Sequence, residues 1–237
     1  TNSAGVIEWQ KCYGGSGEDG SYSLRETHDG GYICVGFTES QDGDVIGVHP
    51  GSYDYWVFKI DSVGDLIWEK PFGGSQYEWA FDVEQADDSG FVVVGDGRSM
   101  IGDGDLTCHN GGIGISDVWM IKLDPMGLIQ WQKALGGGSY DIAHSIKKTM
   151  DGGYFIGAIT ESNDGDVTGY HVPYNYDYWV VKTDTSGTIQ WQKCIGGLGN
   201  DEAFCVAPTF DGQSVVVGKS DSNDHDVSGN HGGYDIF

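Results

Sequence analysis

Four tryptophans, Trp9, Trp68, Trp131 and Trp191, recur along the chain at intervals of about 60 residues. Each one begins the same short motif, Trp-Gln/Glu-Lys, and the residues between two successive motifs also repeat. A self-similar period of this length is typical of propellers and solenoids. The repeat therefore constrains the fold more than any other feature of the sequence.

Each period contains four β-type segments separated by turn signals, which is the strand count of a propeller blade. We expect an all-β fold, a β-propeller with four blades of four antiparallel strands, in which an N-terminal strand closes the last blade. The whole chain, 1–237, would form one domain, with repeats at approximately 14–72, 73–135, 136–195 and 196–237 plus 1–13. Because the last repeat stops at Phe237, partway through a strand, the alternative is a segment of a longer propeller or repeat array.

The composition of the chain excludes several classes of binding partner. The 237 residues carry a formal net charge of -24, and such a field repels nucleic acid and anionic lipid surfaces. No apolar run approaches the length of a membrane helix, so we expect no membrane insertion. No N-terminal signal sequence is visible, which indicates a mature fragment or a cytosolic chain. Five cysteines without a CxxC pair predict buried free thiols.

The turn before each tryptophan has the form Asp-x-x-Gly-x-x-x-Trp, as in Asp184, Gly187 and Trp191. Aspartate would bond the turn backbone, glycine would supply a positive φ, and tryptophan would pack between blades. This turn resembles the tryptophan-docking turn of quinoprotein propellers and, more loosely, the Asp-box turn of sialidases. In both families the motif is structural, and Arg25 and Arg98, the two arginines present, cannot form a sialidase arginine cluster.

An acidic loop of the form Asp-x-Asp, followed by a histidine and then by an aspartate that opens the next strand, occurs four times. Alternating carboxylates and glycines are how loops place several oxygens around a hard cation, so the loops are candidate calcium sites. Two alternatives stay open: a metal-free, hydrogen-bonded loop, or a transition-metal site that uses the histidines. Under the calcium interpretation the histidines would bond the loop backbone. The candidate metal ligands are Asp42, Asp44, Asp54, Asp103, Asp105, Asp117, Asp164, Asp166, Asp177, Asp224, Asp226 and Asp235.

In a propeller these loops and the Gly-Gly links between repeats emerge on one face, which we call the rim. Tyrosines in or beside the loops suit either a sugar, which stacks on aromatic faces, or the surface of a neighbouring protein subunit. Alternatively, these tyrosines are solvent-exposed loop residues that bind nothing. The candidate ligand-binding residues are Tyr53, Tyr170, Tyr174, Tyr176 and Tyr234.

Taken together, Trp-Gln-Lys-x-x-Gly-Gly, Asp-Gly-Gly-Tyr, Ser-Asn-Asp-Gly-Asp-Val and Asp-Tyr-Trp-Val-Val-Lys resemble a family of repeats in large secreted proteins of Bacteroidota-type bacteria. Those proteins often carry a C-terminal sorting domain associated with type IX secretion. The resemblance covers the whole chain and implies an extracellular or cell-surface location with a propeller-like or adhesin-like role. It implies no catalytic residue.

Two functional hypotheses follow. In the first, the four similar loops belong to a secreted, non-catalytic module for binding, adhesion or extracellular assembly, ordered by calcium and capable of self-association. In the second, a carbohydrate-active enzyme or lectin uses the acidic, tyrosine-bearing rim, and the longer loop 99–116 of the second repeat supplies the one site that differs from the rest.

Overall fold

The computed structural model describes residues 1–171 and 175–237. It contains fifteen strands and no helix among them, and therefore no helix that is long and apolar enough to cross a membrane. The strands are β1 (Asp19–Glu26), β2 (Tyr32–Thr38), β3 (Asp54–Ile60), β4 (Leu66–Phe72), β5 (Glu78–Gln85), β6 (Phe91–Gly97), β7 (Asp117–Leu123), β8 (Ile129–Leu135), β9 (Asp141–Lys148), β10 (Tyr154–Thr160), β11 (Asp177–Thr183), β12 (Ile189–Ile195), β13 (Asp201–Pro208), β14 (Ser214–Ser220) and β15 (Asp235–Ile236).

These strands form four antiparallel sheets in chain order, which confirms the predicted β-propeller with four blades. Blade 1 comprises β1–β4, blade 2 comprises β5–β8, blade 3 comprises β9–β12 and blade 4 comprises β13–β15. The central strands β6, β7, β10 and β11 are buried along their whole length, because neighbouring blades cover both faces. All five cysteines are free, but the expectation that they are buried holds only for Cys34 and Cys194, since Cys108 is partly exposed and Cys12 and Cys205 are exposed.

The turn between the third and fourth strands is built as the sequence predicts. In blade 3 the Asp184 carboxylate accepts hydrogen bonds from the backbone N–H groups of Ser186 and Thr188, at 2.8 and 3.0 Å. Gly187 adopts a φ of 75°, and the ring of Trp131 from blade 2 packs directly on it. This tryptophan therefore joins the outer strand of one blade to the turn of the next.

Each junction between consecutive blades buries one apolar side chain of an innermost strand against the preceding blade. Val83 packs with Ile33 and Val35 of blade 1, and Ile146 packs in the same way with residues of blade 2. The innermost strands β1, β5, β9 and β13 thus line the hub, and the links and acidic loops lie at the rim.

The prediction that an N-terminal strand closes the last blade is wrong. Residues 1–13 form no strand, and blade 4 has three strands instead of four. The last of these, β15, has only two residues that pair with β14, so it offers little edge on which a fourth strand could form. Among the described residues, no strand of blade 4 makes an extensive contact with a strand of blade 1.

Candidate binding rim

The first two carboxylates of each acidic loop hold the Gly-Gly link of their own blade. In blade 1, Asp42 accepts a hydrogen bond from the backbone N–H of Ser16 at 2.6 Å. Asp44 accepts one from the N–H of Gly14 at 3.2 Å, and its own N–H donates to the Gly14 carbonyl at 3.0 Å. Because carboxylates accept strongly from backbone N–H groups, these bonds fix the loop against the link.

The same arrangement recurs in the other blades. Asp103 accepts from the Ser75 hydroxyl at 2.6 Å, Asp164 from the Gly138 N–H at 2.7 Å, and Asp224 from the Leu198 N–H at 2.8 Å. The second aspartates of the motif, Asp105, Asp166 and Asp226, each donate their backbone N–H to the first glycine of the link. The repeated Asp-x-Asp motif therefore has a structural task in every blade.

The histidine of each loop pairs with the aspartate that opens the third strand, and among these histidines the ring of His109 also contacts the loop backbone, at 3.2 Å from the Gly112 carbonyl. His49 Nδ1 lies 2.8 Å from Asp54 Oδ2, and His171 Nδ1 lies 2.7 Å from Asp177 Oδ2. His109 with Asp117 and His231 with Asp235 form the same pair at 3.0 Å. Burial lowers the pKa of His49, but the bond to Asp54 and the charge of that carboxylate outweigh burial and leave the pKa raised.

The second oxygen of these strand-opening aspartates has no partner. Oδ1 of Asp54, Asp117 and Asp177 is buried without a hydrogen-bond partner, and the three residues are at most 1% exposed. A buried, unsatisfied carboxylate oxygen costs free energy and marks a place where a proton or a cation would be favourable.

An acid from the next blade lies close to the unpartnered oxygens of Asp54 and Asp177, across a glycine of the link. A Cβ atom at position 73 would lie 2.4 Å from Asp54 Oδ1 and 2.7 Å from Glu78 Oε2. At position 196 it would lie 2.6 Å from both Asp177 Oδ1 and Asp201 Oδ2. Glycine is therefore required between two buried carboxylates of neighbouring blades.

Burial changes the protonation of these acids. It raises the pKa of Glu78 and of Asp141 to about 7, although backbone and hydroxyl donors oppose the shift. Burial also raises the pKa of Asp54, and the nearby charge of Asp105 adds to that increase. At the third junction Asp201 acts on Asp177 in the same direction.

The grouping of the candidate metal ligands thus differs from the predicted one. The strand-opening Asp177 lies near Asp201 and, through His171, near Asp226 of the next blade, at 3.7 Å from His171 Nε2. Its loop companions Asp164 and Asp166 bond the link of their own blade. Over residues 1–171 and 175–237, no group of three or more His, Cys, Asp and Glu side chains is arranged to hold a metal ion.

Four of the five candidate ligand-binding tyrosines lie in the described part of the chain, and each of the four makes different contacts. The Tyr170 hydroxyl donates to the Asn175 carbonyl at 2.6 Å, and Tyr176 is half-buried beside Glu161. Tyr234 lies beneath Lys219, with the amine 4.4 Å from the ring centroid. Tyr174 lies outside the described residues. The remaining residue, Tyr53, belongs to a larger aromatic group.

That group lies at the junction of blades 1 and 2, and we call Phe37, Tyr53, Tyr77 and Trp79 the aromatic platform. The Tyr53 ring lies 5.5 Å from Tyr77, 6.1 Å from Trp79 and 5.2 Å from Phe37. Tyr77 is 45% exposed, and the buried indole N–H of Trp79 has no hydrogen-bond partner. Of these four residues, only Tyr53 is among the predicted ligand-binding residues. The signal for two of the others is that Tyr77 and Trp79 stand where the first repeat has Glu18 and Gly20.

Acidic groups surround this platform. The Tyr53 hydroxyl donates to Glu18 at 3.0 Å, and Glu39 accepts from the Glu18 backbone N–H at 3.0 Å. Exposed aromatic faces beside carboxylates provide both stacking surface and hydrogen-bond acceptors. At the second junction the positions of Tyr53, Tyr77 and Trp79 hold Ser116, Tyr140 and Ile142. At the third junction they hold Tyr176, Asn200 and Glu202, so the platform is specific to one junction.

No protein-family model matches the chain, and no curated protein is similar to it in sequence.

Proposed function

We propose that this chain is a non-catalytic, glycan-binding module of a secreted or cell-surface protein. The observation that carries this proposal is the aromatic platform, because it brings four aromatic rings, one of them 45% exposed, together beside acidic acceptors. Elsewhere the recurring loop carboxylates are engaged in hydrogen bonds that hold the links. The extracellular location is supported by the resemblance of the repeats.

A saccharide fits the chemistry of the platform. The C–H face of a sugar ring would stack on Tyr77, and its hydroxyl groups would donate to Glu18 and Glu39. The net charge of -24 disfavours acidic polysaccharides, since their carboxylates or sulfates would be repelled. We therefore expect neutral glycans as ligands.

Affinity electrophoresis in gels that contain laminarin, xylan or galactomannan tests the proposal. We expect at least one of these polysaccharides to retard the chain, and Tyr77→Ala to abolish the retardation. Tyr140→Ala is the matched control, because Tyr140 occupies the equivalent position at the next junction. Equal mobility in all gels would contradict glycan binding, and release of reducing sugar would contradict the non-catalytic assignment.

We also propose that calcium stabilises the rim, and the three unpartnered aspartate oxygens favour this role. A cation shared between Asp54 and the acid of the next blade would compensate the buried charge. Thermal unfolding in EDTA and then in calcium tests this, since a ligand of the native state contributes about 2.7 kcal/mol at a hundredfold excess over Kd. We expect a rise of several degrees with calcium but not magnesium, and loss of the rise in Asp54→Asn. An unchanged Tm would exclude a calcium role.

A further inference from the structure

Two faces of the propeller that would be covered in a complete ring are exposed. On blade 1, Tyr22 and Leu24 of β1 are 51% and 57% exposed; we call these two residues the front face. On blade 4, Phe204, Val215 and Val217 are 46%, 59% and 42% exposed; we call these three the back face. Apolar side chains in a row on a strand face indicate a surface that lacks its partner.

The junctions inside the chain show what such faces bind. Val83, Ile146 and Val206 occupy the position of Leu24 in the other blades, and all three are fully buried against the preceding blade. Val206, for example, packs over Gly157 of β10. The front face is therefore the half of a junction that a preceding blade normally covers.

The back face is the other half of the same junction. Ile33, Val92 and Phe155 occupy the position of Val215 in blades 1 to 3, and they are at most 1% exposed. In each case the innermost strand of the next blade covers them. Leu24 thus has the chemistry and the position to fill the space above Val215 and Val217.

A row of aromatic rings on the innermost strands ends at these two faces. Ring centroids of Tyr22 and Phe81 are 5.0 Å apart, those of Phe81 and His144 5.3 Å, and those of His144 and Phe204 5.5 Å. One ring comes from each blade, and the two end members are exposed. A ring supplied by a Tyr22 would continue the row beyond Phe204 at the same spacing.

The backbone at the two faces is complementary too. At the three internal junctions the first N–H of the innermost strand donates to the carbonyl before the preceding third strand: Glu78 to Tyr53, Asp141 to Ser116, and Asp201 to Tyr176, at 2.6–2.8 Å. The equivalent groups at the open faces are the Asp19 N–H and the Tyr234 carbonyl. They would form a fourth bond of this kind.

The N-terminal segment 7–13 already lies on blade 1 as an outer strand of a preceding blade would. The ring of Trp9 covers Gly64 in the way that Trp68 covers Gly127. The Tyr13 hydroxyl donates to the Gly64 carbonyl at 2.7 Å. Segment 7–13 therefore lies on blade 1 without belonging to a sheet, while blade 4 has three strands.

We propose that the chain associates head to tail with a second copy of itself, the front face of one copy docking on the back face of the other. Segment 7–13 of the first copy would then lie beside the three-stranded sheet of the second. Such an interface is heterologous, so it produces a closed ring if the rotation closes and a filament if it does not. A second copy fits because it presents the same surface that Val83, Ile146 and Val206 present inside the chain.

The net charge of the chain determines how association between two copies should depend on salt. Each copy carries a net charge of -24, so two copies repel one another over long distances. Salt screens this repulsion, and the contact itself is apolar. Association should therefore become stronger as the salt concentration rises.

Sedimentation velocity over a range of protein concentrations tests the proposal with the 237-residue chain. We expect a concentration-dependent increase in mass that Leu24→Asp and Val217→Asp each weaken by at least roughly tenfold in Kd. Both positions are exposed in the single chain, so the variants should keep the wild-type circular dichroism spectrum and Tm. Met150→Asp, at an 82% exposed site away from both faces, is the control.

Mixing the two variants tests whether the contact is head to tail. In a head-to-tail contact, Leu24→Asp keeps an intact back face and Val217→Asp keeps an intact front face. The two proteins should therefore form a one-to-one dimer that cannot extend, although each is monomeric alone. A monomeric wild-type chain at all concentrations and salts, association that the variants leave unchanged, or no dimer in the mixture would each overturn the proposal.

Discussion

Lys147 on β9 donates a hydrogen bond to Asp82 on β5 over 2.9 Å and so joins the innermost strands of blades 3 and 2. The other oxygen of Asp82 accepts from the hydroxyl of Ser23 and the guanidinium of Arg25, both on blade 1. The Asp82 side chain is only 7% exposed. Burial opposes its ionisation, but Lys147 and the other donors outweigh burial and lower its pKa. One carboxylate thus connects three blades at the hub.

Replacing Asp82 with alanine should destabilise the chain strongly. The substitution leaves Arg25 and Lys147 without their shared partner, and removing one member of a buried ion pair costs about 3 kcal/mol or more. Urea unfolding followed by tryptophan fluorescence measures the change. Asp65→Ala is the control, because its pair with Lys11 is exposed and should contribute little to stability. Similar losses in the two variants would be inconsistent with a hub role for Asp82.

The buried Glu78 should make the protein less stable as pH rises. Its pKa is raised from 4.5 to about 7, so the folded state holds a proton that the unfolded state has already released between these values. Stability contributed by this proton is complete below about pH 4.5 and is lost as pH rises through about 7. Glu78→Gln should therefore flatten the decline between about pH 5 and about pH 8, by up to about 3 kcal/mol.

Urea unfolding at several pH values in EDTA provides this measurement without interference from bound cations. Glu8→Gln, at an exposed position in the N-terminal segment, serves as the control and should follow the wild-type profile. A Glu78→Gln profile as steep as that of the wild type would show that other groups cause the pH dependence.

The Trp131–Gly187 contact should be sensitive to a single methyl group. Gly187 has a φ of 75°, and a Cβ atom there would lie 2.9 Å from the Trp131 ring. Gly212 has a similar φ of 83° but nothing within 4 Å of its Cβ position. We expect about 1 kcal/mol of destabilisation for Gly212→Ala from the backbone alone, and about 2–3 kcal/mol for Gly187→Ala because the ring must also move.

Comparing the two variants separates backbone strain from packing. Thermal unfolding gives the stability difference, and near-ultraviolet circular dichroism reports on the tryptophan environment, which only Gly187→Ala should alter. If both variants lost the same stability, packing of the tryptophan on the turn would contribute little.

The exposed and the buried cysteines should react with iodoacetamide at different rates. Cys12 and Cys205 are exposed, whereas burial raises the pKa of Cys34 to about 11 and that of Cys194 to about 12. Since the thiolate is the reactive form, the two buried residues should stay unlabelled in the native state. Peptide mass spectrometry after brief labelling of dilute protein identifies the modified sites, and labelling in urea gives the total. Early modification of Cys194 would contradict its burial in the core that blades 2 and 3 share.

Several features could be predicted from the sequence because they depend on local chemistry repeated in every period. The tryptophan period and the four apolar segments of each repeat predicted the blades. The Asp-x-x-Gly motif predicted the hydrogen bonds between the aspartate and the turn backbone. These elements are set by β-propensity, alternation and turn geometry within a few residues of each other. Such relationships need no knowledge of distant contacts.

The remaining features depend on how neighbouring blades meet, which no single repeat encodes. Pairing of Asp54 with Glu78 across Gly73, and of Tyr53 with Tyr77 and Trp79, arises only when the third strand of one blade and the first strand of the next lie side by side. The N-terminal segment has the sequence of an outer strand, yet it lies on Gly64 without a sheet, because strand formation requires a paired edge. Local sequence therefore specifies the repeated blade, whereas the packing of adjacent blades sets which side chains share a site and which faces stay exposed.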